Sequence, residues 1–202
     1  MGTAPYKKLF TYWFSVIIYD LTVEFCNRFL LSNVGNLSNL GGMPDRRTSD
    51  QMIQAARSGK ANIAEGSDAL KTSFKMGIKL TNTAKASEEE LLGDYEDFLR
   101  QRELEIWDKN DPRVKLFRAK AAKLVRNLSN LGDIRESAEL IQKGLPLSED
   151  PEEAANLMLT LCHQVTYLLN RQVEALERKH EREGGYTEKL YNKRKDFLKR
   201  PK

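Results

Sequence analysis

The sequence predicts an all-α protein. Apolar residues recur every three to four positions over long stretches, no stretch shows the period-two alternation of a half-buried strand, and six prolines in 202 residues leave long helices uninterrupted. The balance of 31% charged and 40% hydrophobic residues lies in the globular range. A chain of this length forms one domain whose core needs neither disulfide nor metal.

Helix one is expected from Tyr6 to Leu31, with Leu9, Phe10, Trp13, Ile17, Leu21 and Phe25 on its main stripe. Its other faces carry Phe14, Val16, Ile18, Tyr19 and Val23. A helix apolar nearly all round needs cover on more than one side, which in so small a domain predicts a second subunit. Lys7 and Lys8 before "LFTYWFSVIIY" imitate a signal peptide, but Asp20 and Glu24 follow, no small-x-small cleavage site appears, and roughly eleven residues cannot span a bilayer. No export and no membrane span are expected, so the "NLS" sequons at Asn36 and Asn127 carry no glycan. Cys26 and Cys162, far apart in apolar helical patterns, read as core residues of a reducing, cytoplasmic compartment.

A Gly/Asn/Ser linker from Ser32 leads to helix two, with Thr48 or Ser49 as N-cap and Gly66 as a left-handed C-cap. Helix three starts near Thr72 or Ser73 and runs to about Leu104; Met76, Leu80, Ala84, Leu91, Tyr95 and Phe98 recur on it at helical spacing. Asp111-Pro112 opens helix four, where Val114, Phe117, Ala121, Leu124, Leu128 and Leu131 alternate spacings of three and four. Helix five starts at Ser148 or Asp150, continues through Pro151, Glu152 and Glu153, and stops at Gly184-Gly185. Its stripe is Ala154, Met158, Leu161, Val165, Leu168 and Leu176. The hexapeptide "NLSNLG" occurs at 36 and 127 with unlike flanks, which reads as coincidence.

The net charge of +4 is unevenly placed. Residues 178–202 hold ten Lys/Arg against four Asp/Glu, leaving 23 against 25 for residues 1–177. In helix four, Arg113 to Arg126 holds six Lys/Arg and no acid; Lys115, Arg118, Lys120, Lys123 and Arg126 all lie off the apolar seam. Such a face either binds a polyanion or pairs with the acidic half of helix three, "SEEELLGDYEDF".

"RSGKANIAEG" at 57–66 imitates a phosphate loop, yet Gln54 stands where the first Gly is needed, Ala61 replaces the hydroxyl residue, and helix precedes it. Gly59 instead marks a close helix approach, since Gly inside a helix costs about 1 kcal/mol against Ala. Ala55, Ala56, Ala61 and Ala64 leave one face nearly free of side chains, and Asn62 with Glu65 can hydrogen-bond across the contact. His163 and Cys162 are adjacent and diverge by about 100°, so they cannot chelate one ion. No catalytic set stands out. No enzyme, cofactor or metal is expected.

"DQMIQAARSGKANIAEGS", continued by "TSFKMGIKLTNTAKASEEELLGDYEDFLR", resembles the bacterial four-helix-bundle family. That family includes proteins encoded by intervening sequences of large-subunit ribosomal RNA genes and the accessory variability proteins of diversity-generating retroelements. Residues 62–66, "NIAEG", are the most specific mark, and "LCHQVTYLLNRQVEALERKHEREGGYTEKLYNKR" looks like the suffix segment of a longer subgroup. The resemblance implies an antiparallel four-helix bundle, a homo-oligomeric ring of five chains, a pentamer, a basic surface for nucleic acid and, in one branch, a reverse transcriptase as partner. Two departures stand out: Lys60 where many members have Pro, and residues 105–149, which look like an inserted helix.

These readings give one bundle domain over residues 1–185, with a basic segment at 186–202. Trp13, Arg57, Gly59, Asn62, Glu65 and Gly66 serve as structural or oligomer contacts. RNA or DNA is held by the five helix-four cations with Lys193, Arg194, Lys195 and Lys199 of the tail. The alternative is a protein-interaction scaffold with no nucleic-acid role.

Overall fold

The computed structural model of the chain describes residues 4–31, 45–131 and 137–199, and every regular element among them is helical. A 3-10 turn at Pro5–Lys8 leads into α1 (Phe10–Cys26), which continues as a π turn at Asn27–Leu31. Then come α2 (Arg46–Ala69), α3 (Phe74–Gln101), α4 (Pro112–Leu131), α5 (Ser137–Gly144), α6 (Pro151–Glu183) and α7 (Tyr186–Leu198). None of these is long and apolar enough to cross a membrane. The expected linker lies outside the described residues up to position 44, as does the Asn36 sequon; Asn127 is exposed on α4.

Helix starts follow capping chemistry. The Asp45 carboxylate accepts from Thr48 N at 3.0 Å, so Asp45 is the cap of α2, and Thr48 and Ser49 lie inside the helix. Ser73 accepts from Met76 N and caps α3; Asp150 accepts from Glu152 N and caps α6, with Pro151, Glu152 and Glu153 in its first turn. The α3 helix closes at Gln101, short of Leu104, because Glu103 turns left-handed (φ 57°) and Leu104 N returns to Leu99 O at 3.0 Å. Gly184, φ 64°, ends α6 in the same hand.

The α2 helix lies along α3, α3 along α6, and α1 against α2 and α6, while α4 packs on both α1 and α6. This arrangement overturns the case for a second subunit built on helix one. Every residue from Thr11 to Ile18 is buried within one chain, as are Leu21, Thr22, Phe25 and Cys26. The cover comes from α2 and α6 and, on a further side, from α4. Trp13 is 0% exposed and its indole N–H donates to Lys7 O at 2.7 Å. It is a core residue and cannot be an oligomer contact.

The small residues of α2 do face a neighbour. Ala55, Ala56, Gly59 and Gly66 are buried, while Ala61 is exposed. Gly66 is not a C-cap: α2 runs on to Ala69, and a Cβ at Gly66 would come 3.2 Å from Leu80 Cβ and 3.3 Å from Gly77 O of α3. Close helix approach, not a left-handed turn, is what needs glycine there. Asn62 donates to Ser58 O and Ser58 Oγ within its own helix, and Glu65 and Arg57 are exposed, so the expected hydrogen bonds across the contact are not made among the described residues. Lys60 stays helical and places its ammonium 3.6 Å from the centre of the Tyr19 ring, tying α2 to α1.

The α3–α4 connection is held onto the start of α6 by a polar clasp. The Asn156 side chain accepts from Trp107 N at 2.9 Å and donates to Glu105 O at 2.8 Å. Glu152 accepts from both Trp107 Nε1 and Glu105 N. Phe117 of α4 stacks on Trp107, and the Arg113 guanidinium lies 3.5 Å from the centre of the Trp107 ring. These contacts set the position of α4 and therefore of its charged face.

Candidate nucleic-acid interface

The apolar seam of α4 points inward as its spacing requires: Val114, Phe117, Ala121, Leu124 and Leu128 are buried, with Val125, and only Leu131 at the end is exposed. At about 100° per residue, Lys115, Lys123 and Arg126 then fall opposite Leu124 and Leu128, with Arg118 and Lys120 to either side. Burial agrees, since Lys115, Lys120, Lys123 and Arg126 are exposed and Arg118 is half-buried. Arg118 donates to Lys109 O at 3.1 Å and Gln164 of α6 reaches Arg118 O, which fixes this edge of the face. Lys115 to Arg126 spans about 16 Å of helix, enough to run past four or five phosphates of a duplex strand at about 3.4 Å each.

The pairing of this face with the acids of α3 is not formed. Two of those acids pair on their own helix, Glu89 with Lys85 at 3.7 Å and Asp97 with Arg100 at 2.7 Å, and Glu88 is buried. Asp94 is pushed up to about 6, first by burial and then by neighbouring Glu90 and Asp97. Among the described residues, none of Lys115, Lys120, Lys123 and Arg126 makes an ion pair. The helix therefore displays uncompensated positive charge.

The tail cations lie elsewhere. Lys193, Arg194 and Lys195 are exposed on α7, after the Gly184-Gly185 break, and Lys199 is exposed just past its end. On that helix Leu190, Tyr191, Phe197 and Leu198 are exposed as well. The two basic sets are on separate helices and do not form one continuous helix face.

No metal-ligating group of three or more His, Cys, Asp or Glu exists among the described residues. His163 is exposed while adjacent Cys162 is buried, as the divergence of neighbouring helical residues requires. Burial pushes the Cys26 thiol up to about 11 and that of Cys162 well above its ordinary value. Such thiols are packing groups.

Sequence reasoning missed one residue of chemical interest. Glu88 of α3 is a fully buried carboxylic acid, 0% exposed, with no hydrogen-bond partner for either oxygen. The signal was present: the α3 stripe steps seven positions from Ala84 to Leu91, and Glu88 occupies the seam position that the gap demands.

No family model, curated protein or solved structure gives a significant match to this chain.

Proposed function

We propose that this protein is a non-enzymatic scaffold that binds structured nucleic acid through the outer face of α4. The observation that carries this reading is the row of exposed, unpaired cations on a helix with no acid along it, held rigidly by its opposite face. Electrostatic attraction to phosphates needs only such a row. No aromatic alternates with these charges on α4, which favours recognition of backbone and shape over base reading. In the bacterial four-helix-bundle family that the 57–66 stretch resembles, α1, α2, α3 and α6 would form the bundle, α4 would be an added layer, and the chain would assemble as a ring, serving a retroelement reverse transcriptase or a ribosomal RNA-associated element. With α1 covered, ring contacts would have to use other surfaces, such as the outer side of α2 with Arg57 and Glu65. A second reading, a protein-interaction scaffold, is favoured by the exposed Leu190, Tyr191, Phe197 and Leu198 of α7.

Filter binding of the full chain to a structured RNA and a DNA duplex across a salt series tests the proposal. Each phosphate neutralised adds about 0.9 to the log–log salt slope on duplex DNA. Reversing Lys115, Lys123 and Arg126 to Glu is expected to weaken binding to all sequences alike and flatten that slope. Wild-type protein that retains neither ligand at about 50 mM salt, where this attraction is strong, overturns the nucleic-acid reading in favour of the protein scaffold. Loss of binding on deleting residues 186–202, with the α4 reversal silent, would move the site to the tail.

A further inference from the structure

Glu88 sits on the stripe that carries Thr81, Ala84, Leu91, Tyr95 and Phe98 into the core. Opposite it, α2 contributes Gly59, where a Cβ would lie 2.5 Å from Glu88 Oε1, 3.0 Å from Cδ and 3.2 Å from Cγ. The missing side chain of Gly59 is the space the carboxyl occupies. From α6 comes Cys162, a buried free thiol whose own ionisation is opposed by burial first and by Glu88 second. The neighbouring hydroxyls offer nothing to the carboxyl, since Ser87 Oγ donates to Ser58 Oγ at 3.0 Å instead. No cation from α2, α3 or α6 bears on the group, and burial alone displaces its proton affinity.

A carboxylate in such a place has no counter-charge and no hydrogen-bond donor among the described residues, and an isolated buried charge is strongly disfavoured. We infer that Glu88 is a proton-controlled latch on the α2–α3 seam. With the proton on, the carboxyl lies packed against Gly59 and the two helices close over it. When the proton leaves to solvent, the carboxylate must reach water, and α2 has to part from α3 around Gly59 to let it. The seam is already thin there: a groove of about 390 Å³ between the helices is lined by Gln54, Ala55, Ser58 and Ser87, with Asp50 and Glu90 on it. Glu88 itself is 0% exposed and does not line that groove, so hydration of its carboxylate requires the helices to separate. Burial holds the group up to about 8, which places the latch within reach of neutral and mildly alkaline solution.

The test uses the full chain, its Glu88→Gln variant, carbon-detected NMR of the glutamate carboxyls and amide hydrogen exchange. One carboxyl resonance, absent from Glu88→Gln, is expected to titrate far above the other glutamates. Protection of the α2 amides around Gly59, corrected for intrinsic exchange, is expected to fall about tenfold per pH unit between pH 5 and pH 8 and then level off, while Glu88→Gln stays protected. A Glu88 resonance that titrates with the rest overturns the latch, as does equal loss of protection in the Gln variant. A second pair stands independently of pH: Gly59→Ala crowds the carboxyl and is expected to open the seam at pH 6, and Glu88→Ala in the same chain restores closure. Failure of that restoration also overturns the contact on which the latch depends.

Discussion

Replacing Glu88 by Gln is expected to make the protein more stable, and by an amount that depends on pH. The carboxyl has an ordinary value of 4.5 in the unfolded chain and is held up to about 8 by burial in the folded one. Below pH 4.5 both states hold the proton and this group gives no pH dependence. Between 4.5 and about 8 only the unfolded chain releases it, so folded stability falls by about 1.4 kcal/mol per pH unit. Above about 8 both states are ionised and the loss levels off. At pH 7 the accumulated loss is roughly 3 kcal/mol, a large share of the 5–15 kcal/mol typical of a domain. Gln has the same shape and cannot ionise, so the gap between variant and wild type should open from pH 5 and stop widening near pH 8. Urea unfolding at unit pH steps measures it directly, since the midpoint shifts at constant slope when stability alone changes. Parallel stability curves for the two proteins would refute the argument, because they would mean that Glu88 is ionised and compensated in the fold.

Other perturbations read the fold elsewhere. Asn156→Ala removes the acceptor of the buried Trp107 N–H and the donor to Glu105 O, and should cost about 1–3 kcal/mol in chemical denaturation; an unchanged midpoint would show that water replaces the clasp. Glu103→Gly relieves a left-handed residue, φ 57°, and should raise stability by up to about 1 kcal/mol, with a fall indicating that the Glu103 side chain contributes more than its backbone strain removes. Gly184→Ala, at φ 64° with a Cβ that would meet Glu188 Cβ at 3.3 Å, should lower stability by about 1–2 kcal/mol and increase amide exchange across the α6–α7 junction; unaltered exchange would mean the chain turns there without the left-handed residue.

Helix existence was legible wherever one face is apolar at helical period and a cap precedes it, as at Ser73, Asp111-Pro112 and Asp150. What failed were inferences that needed to know the neighbour. Gly66 looked like a helix end because glycine commonly is one, but only the position of α3 reveals that it is a contact point. Trp13 and the many-sided α1 looked unsatisfied because the sequence does not say that α4 folds back over them. The cationic face of α4 could be drawn from spacing alone, yet whether α3 neutralises it depends on which helices touch. Gly59 was recognisable as a place of close approach, but its partner was not. An acid at a seam position reads as a surface residue until the helices on three sides are in place.

The same division bears on assembly. The α4 helix places Val114, Phe117, Ala121 and Leu124 inward against the chain's own helices while turning its cations outward. One helix thus closes the core and displays the charge. A ring of chains of the kind the family resemblance implies cannot be built on Trp13 or on the rest of buried α1. Its contacts would fall on exposed ground such as the outer side of α2, where Arg57, Ala61 and Glu65 lie at intervals of four. Light scattering of the full chain should then give a multiple of 23.2 kDa, and Ala61→Arg should dissociate it without loss of helicity, because residue 61 is exposed and touches no core. Trp13→Ala should instead destabilise each chain by about 3–5 kcal/mol, the range for truncating a buried aromatic. A mass of one chain for the wild type would remove the ring, leaving the α4 face to bind nucleic acid as a single site without the added avidity of a repeated one. A multimer unaffected by Ala61→Arg would keep the ring and move its contacts off α2.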